Sequence, residues 1–132
     1  MPHIELQIPA RSPYVGVVRL ALAALARAAG LDEERVDDVK IAVSEACSRA
    51  VLANESGDPV GDVSVSWSDD GSLVVIEISD RAGANEATDA DNSLSFSSRA
   101  VMSEALLRSL MDGYESASRP DGGTTTRLLI NH

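Results

Sequence analysis

Aromatic side chains make up only 3% of this 132-residue chain, so leucine, valine, isoleucine and alanine must fill its core. Cysteine is nearly absent: Cys47 stands alone, which excludes an internal disulfide and fits a reducing compartment. Histidine is as scarce. His3 and His132 lie near the two termini, and no Cys/His cluster has metal-ligand spacing. No stretch approaches the roughly 20 apolar residues that a membrane helix needs. The opening Met1-Pro2-His3-Ile4-Glu5 lacks the basic and apolar regions of a signal peptide, so a cytoplasmic protein is expected. Basic residues are outnumbered 11 to 21 by acidic ones, for a formal charge of −10. That balance argues against direct nucleic-acid binding, which rewards clustered Lys and Arg. It favours solubility, and it would suit a partner that carries basic patches.

What is present is the hydrophobic fraction and the periodicity of an ordinary globular domain, 44% apolar and short enough for one core, so residues 1–132 are expected to form a single domain. His3 to Ile8 alternates and reads as a half-buried first strand. Ser12-Pro13 then predicts a helix N-cap and first-turn proline, followed by Val17, Val18, Ala21, Leu22 and Leu25 at helical spacing and a stop at Gly30. Asp32 is a second N-cap, and Val36, Val39, Val43, Ala46, Cys47 and Ala50 form the buried face of the helix after it. Asn54 to Gly61 reads as a turn region. Val63 to Trp67 and Leu73 to Ile78 alternate around Asp69-Asp70-Gly71, a hairpin signal. Ala84 to Ser93 lacks periodicity and predicts a mobile loop, with Glu86 to Ser97 among the least regular residues of the chain. Ser98 to Asp112 returns to helical spacing through Val101, Ala105, Leu106 and Leu110. A short strand at Tyr114 to Ser118, a turn at Pro120-Asp121-Gly122-Gly123 and a last strand from Thr124 to Ile130 complete the order β-α-α-β-β-α-β-β. This pattern predicts an α+β fold, a two-layer sandwich of a mixed, mostly antiparallel sheet with helices on one face.

Residue chemistry alone goes no further than that. Neither histidine is placed to activate a serine, and isolated glycines such as Gly83 and Gly122-Gly123 are weak phosphate-loop signals. Four marks in order carry a resemblance. Val43-Ser44-Glu45-Ala46-Cys47-Ser48-Arg49-Ala50 is similar to the box V-S-E-A-V-T-N-A. Asp80-Arg81-Ala82-Gly83-Ala84 follows an apolar strand as a D-x-G-x-G box does. Leu110-Met111-Asp112 ends a helix as L-M-D does, and Gly122-Gly123-Thr124-Thr125 opens the last strand as G-G-G-T does. Together they resemble the anti-sigma factor/serine kinase family, a branch of the ATPase fold shared with histidine kinases and Hsp90. The resemblance implies ATP as cofactor, a sigma factor or anti-anti-sigma protein as partner, and a homodimer. It assigns Glu45 to activation of the nucleophile, the position of Arg49 to Mg²⁺, Asp80 to adenine recognition, and Gly83, Gly123 and Thr124 to the nucleotide pocket. A basic residue on the first helix contacts the partner in that family. Arg19 holds the matching place, and Arg19, Ala23 and Arg27 trace one side of the helix away from Val18, Leu22 and Leu25.

The departures point the other way. Arg49 stands where the metal-binding Asn is expected, and a guanidinium has donors only. At i+4 from Glu45 it is also placed to hold that carboxylate in an ion pair. Ala82 and Ala84 replace glycines, and Glu86, Asp89 and Asp91 put negative charge where phosphates would lie. Mg²⁺ is therefore not expected and ATP turnover is doubtful, whereas Arg49 could itself offset phosphate charge, which leaves nucleotide binding open. The favoured expectation is a protein-binding regulator. The alternative is an active serine kinase acting on an anti-anti-sigma protein. The catalytic module of a histidine kinase ranks lower, for want of a phospho-accepting histidine domain.

Overall fold

The structure is a computed structural model that describes residues 3–55, 61–81 and 93–132. Its elements are β1 (His3–Pro9), a 3₁₀ turn (Ser12–Tyr14), α1 (Val15–Ala28), α2 (Glu33–Asn54), β2 (Asp62–Asp69), β3 (Leu73–Asp80), α3 (Ser93–Leu110), β4 (Gly113–Ser118) and β5 (Thr124–Asn131). The strands form one five-stranded sheet in the order β1-β2-β3-β5-β4, and every pairing is antiparallel rather than mixed.

Strand alternation decides which face is covered. Register aligns Ile8 with Val63, Leu6 with Val65, Trp67 with Ile76 and Ile76 with Leu128, so these side chains share the face beneath the helices. Val63, Val65, Trp67, Val74, Ile76, Ile78, Leu128 and Ile130 are buried there, while the opposite face carries Ser64, Ser66, Glu77 and Arg127. Asp80 falls on the inward side of β3 by the same alternation, two residues after Ile78. A carboxylate is thereby carried into the covered layer.

Helix α2 lies across the core with Val36, Val39, Ala42, Val43, Ala46, Cys47, Ala50, Val51 and Asn54 buried, and the Asp32 side chain caps it by accepting from the Arg35 N–H at 2.9 Å. Cys47 is fully buried, as its spacing predicts, and burial pushes its thiol up to about 11. Gly30 ends the α1 region with φ +88°, and Gly71 turns the β2–β3 hairpin with φ +96°.

Three local expectations need correction. Ser12 does not cap a helix: Arg11 occupies the N-cap of the 3₁₀ turn, and no side-chain cap bond forms. On α1 the buried residues are Val15, Val18, Leu22, Ala23 and Ala26, with Val17 half exposed. Ala23 therefore faces the core and does not join Arg19 and Arg27 on an outer face. Alanines at 23 and 26 suit the close contact between α1 and α2. Helix α3 begins at Ser93, so residues 93–97 are helical, and among its described side chains, from residue 101 on, Ser103 and Leu107 are buried, followed by Met111. Val101, Met102, Ala105 and Leu106 are exposed, because α3 packs mainly on α2 and β4 and, among its described side chains, turns the 103–107 ridge inward. The expected irregular loop at 84–92, and much of the turn at 54–61, lie outside the described residues.

Candidate functional site

The end of β3 and the start of β5 meet where antiparallel pairing brings Ser79 beside Thr125. Here Asp80, 6% exposed, accepts the Thr124 N–H on Oδ1 at 3.0 Å. Its carboxyl is pushed above its ordinary range by burial, against the opposing pull of the Thr124 N–H, Arg119, a hydrogen bond from Asn54, and Arg49. Asn54 is itself buried, and its Nδ2 donates to the Ala50 carbonyl at 2.7 Å.

Arg119 fastens the turn before β5. Its Nη1 donates to the Thr124 carbonyl at 2.9 Å and to Thr125 Oγ1 at 3.0 Å, its Nη2 donates to the Asp80 carbonyl, and its Nε pairs with Asp121 at 3.3 Å. Gly122 turns the chain with φ +92°. Gly123 is required by contact, since a Cβ there would run into both the Arg119 guanidinium and the Asp80 carbonyl. Sequence reading finds Asp80, Gly123 and Thr124 but misses Arg119 and Asn54. Asn54 carries a faint signal, as a polar residue on the buried i, i+4 ridge after Ala50; Arg119 carries none. Gly83, with Ala82, Ala84, Glu86, Asp89 and Asp91, lies outside the described residues.

The α2 residues divide between two places. Arg49 is half-buried and reaches α3, where its Nη1 donates to Ser103 Oγ at 3.4 Å, and its charge is felt at Asp80. Glu45 lines a groove of about 400 Å³ between α1 and α2 with Arg19, Lys40, Ile41, Ser44 and Ser48. The expected Glu45–Arg49 ion pair does not form among the described residues, because Arg49 turns to Ser103. Arg19 enters the groove with its Nε donating to Ser44 Oγ at 2.6 Å. Arg27 is elsewhere, paired with Glu33 at 3.1 Å at the far end of α1. Both members of that pair are exposed; the hydrogen bond with Glu33 raises the Arg27 pKa, and its counterpart from Arg27 lowers that of Glu33. Asp112 of the L-M-D segment has a structural task, with Oδ2 accepting from Arg35 Nη2 at 2.6 Å and from the Asn131 N–H at 2.7 Å.

This donor set does not fit Mg²⁺. The metal wants several oxygen ligands in an octahedron, Arg49 offers none, and among the described residues no group of three His, Cys, Asp or Glu could hold a metal ion. The other end is chemically suited to a nucleobase: a buried acceptor at a strand terminus can receive an exocyclic amine. No helix among the described residues is long and apolar enough to cross a membrane.

Comparison with known proteins agrees with this architecture. Over 63 residues the chain is 44% identical to serine-protein kinase RsbW of Bacillus licheniformis, covering 48% of this chain and 39% of that one. Against serine-protein kinase RsbW of Oceanobacillus iheyensis it is 35% identical over 79 residues, 60% of this chain and 50% of the other. The chain thus spans half or less of the length of these relatives. A crystal structure of the RsbU and RsbW domains of a Mycobacterium tuberculosis protein superposes with a TM-score of 0.74 over 99% of this chain and 32% of that one, at 20% identity, a likeness of fold. The model of the histidine kinase-like ATPase domain matches residues 8–130. The chain belongs to the histidine kinase-like ATPase domain family.

Proposed function

We propose that this chain is an anti-sigma-factor-like regulator that binds a sigma factor or an anti-anti-sigma protein and does so without turning over ATP. It acts in the cytoplasm, as a single domain that pairs as a homodimer. The observation that carries the reading is the fate of Arg49: a donor-only side chain stands at the position assigned to the metal and is engaged with Ser103 across the α2–α3 contact. Phosphoryl transfer leans on a metal that bridges the phosphates and offsets their charge, and among the described residues no group of three His, Cys, Asp or Glu could hold one. Partner binding has no such requirement. The open groove beside Arg19, lined by Lys40, Ile41, Ser44, Glu45 and Ser48, gives it a surface.

An active serine kinase is the second reading, favoured by the arrangement of Asp80, Gly123 and Thr124 and by the similarity to relatives named serine-protein kinase. Calorimetric titration of a candidate sigma factor, with and without ATP and Mg²⁺, separates the two when paired with a phosphorylation assay on an anti-anti-sigma substrate. Equal affinity in both buffers with no serine phosphorylation is the expected result. Robust Mg²⁺-dependent phosphorylation overturns the proposal and promotes the kinase. Arg19→Glu is expected to weaken partner affinity more than Arg19→Ala, because it adds repulsion.

A further inference from the structure

Arg49 is a cation without a counterion. Arg27, Arg35, Arg108, Arg119 and Arg127 each have a carboxylate within ion-pair distance, whereas Arg49 has none among the described residues. It is half-buried, so its charge has given up part of its hydration without an ionic partner in return. Glu45, one turn earlier on α2, lines the α1–α2 groove and does not claim it. Only Nη1 is engaged, donating to Ser103 Oγ at 3.4 Å, near the outer limit for a hydrogen bond. Nε and Nη2 donate to nothing among the described residues, so most of the guanidinium's N–H donors are uncommitted. The buried carboxylate of Asp80 is close by. It comes in from β3 beside Asn54, which follows Arg49 by five residues and lies about 7.5 Å further along the α2 axis. That is near enough for the Arg49 charge to be felt at Asp80. An acceptor suited to a base and a free guanidinium therefore share the region where α2, α3 and the β3–β5 end meet.

We propose that this region binds a nucleoside monophosphate without a divalent metal, with Asp80 receiving the exocyclic amine of the base and Arg49 taking the phosphate. The mismatch between these residues and Mg²⁺ is then an exchange of one cation for another. The two cations select different ligands. Mg²⁺ bridges neighbouring phosphates through their oxygens. A guanidinium instead grips the oxygens of a single phosphate through paired N–H bonds. One fixed cation offsets about one charge of the ligand, and each further phosphate adds charge that no second cation meets at this end of α2. The site therefore favours a short phosphate chain, and Mg²⁺ that wraps a longer one brings no advantage. Ser103, whose hydroxyl accepts only a long bond from Arg49, releases the guanidinium at little cost. This inference goes beyond the regulator reading, since it concerns a small ligand and not the protein partner.

Calorimetric titration of the full chain tests it, with adenosine monophosphate, adenosine, inosine monophosphate, ATP and inorganic phosphate, each in EDTA and in Mg²⁺. Adenosine monophosphate is expected to bind in EDTA about tenfold tighter than adenosine, the worth of one charge-assisted phosphate contact. Inosine monophosphate, with a carbonyl in place of the amine, should bind about tenfold weaker than adenosine monophosphate. ATP should bind no tighter than the monophosphate, and Mg²⁺ should improve neither. Arg49→Gln should remove the difference between adenosine monophosphate and adenosine, while Arg49→Lys, which keeps the charge, should retain most of it. Matching urea midpoints would show that these variants are folded. Nucleotide binding that requires Mg²⁺, equal affinity for adenosine and its monophosphate, an unaffected Arg49→Gln protein, or no nucleotide binding at all overturns the inference. So does inorganic phosphate that binds as tightly as the nucleotide, because Asp80 would then have no part. None of these results bears on the regulator reading, which is lost when the protein captures neither a sigma factor nor an anti-anti-sigma protein.

Discussion

At the strand end of the candidate pocket, Asp80, Gly123 and Thr124 are locked by main-chain contacts; at the helix end, Arg49 makes one long bond to Ser103 and Glu45 faces a different groove. The first end is built from the backbone of β3 and β5, so its geometry comes with the sheet. The second end consists of side chains on one helix face, where each position can change without disturbing the ladder. Position 49 can therefore change without disturbing the turn that holds Asp80, Gly123 and Thr124. Because Gly123 packs its bare backbone against the Asp80 carbonyl, the strand end has a structural reason to persist even where no nucleotide is turned over.

The largest effect that comparison predicts is at Gly123. A methyl group there meets the Asp80 carbonyl, which belongs to a paired strand and cannot swing away, and the Arg119 guanidinium, which can move only by giving up its bonds. Gly123→Ala should destabilise the protein by about 3 kcal/mol, measured as a fall in the urea midpoint at constant slope. Arg119→Met comes next. It keeps most of the side-chain volume but leaves the Asp80 and Thr124 carbonyls and the Thr125 hydroxyl without their donor, and should cost about 2 kcal/mol. If both variants are as stable as the parent, the strand end is not the rigid member of the pair.

How legible these two ends are in the sequence follows from the same difference. Alternation in β2 and β3, the Asp-Gly turn and the Val36-to-Ala50 ridge predict the elements and place Cys47 in the core, because each depends on local periodicity. Asp80, Gly123 and Thr124 stand at strand termini beside turn residues and are recognised through the motif. Arg119 is invisible because its partners lie 5, 6 and 39 residues away, and no spacing announces a guanidinium folded back over its own turn. The Glu45–Arg49 pair fails for a related reason. Helical spacing permits it, but spacing cannot foresee Ser103 on α3 as a competing acceptor. The α3 face is not legible because apolar residues lie on both sides of that helix's described part, so its period is right but its rotation is left open.

A pH comparison probes the strand end more gently. Burial raises the Asp80 carboxyl, so the folded protein holds that proton more tightly than the unfolded chain does. The sign follows directly: Asp80's contribution to stability is fully present below the unfolded carboxyl range and is lost as pH rises through its raised value. Asp80→Asn keeps an oxygen for the Thr124 N–H and removes the charge. The variant should therefore gain stability relative to the parent as pH rises from about 3 to about 7, as read from paired urea titrations. A constant difference across that range would mean that solvent or Arg119 compensates the buried charge more fully than the geometry indicates.

The smallest effect is expected at the helix end. Arg49 is half-buried and gives a single 3.4 Å hydrogen bond to Ser103 Oγ, near the outer limit for such a bond. Arg49→Ala forfeits that bond and some packing of the side-chain stem, but it leaves only a hydroxyl oxygen without its donor, so the loss should stay below about 1 kcal/mol. Ser103 is buried, and Ser103→Ala should cost a similar amount. In a double-mutant cycle the two losses should fall short of additivity by the energy of their shared bond, a few tenths of a kcal/mol. A coupling as large as the effect of Gly123→Ala would make the helix end as tightly built as the strand end, and position 49 would then be held by the fold rather than free to vary.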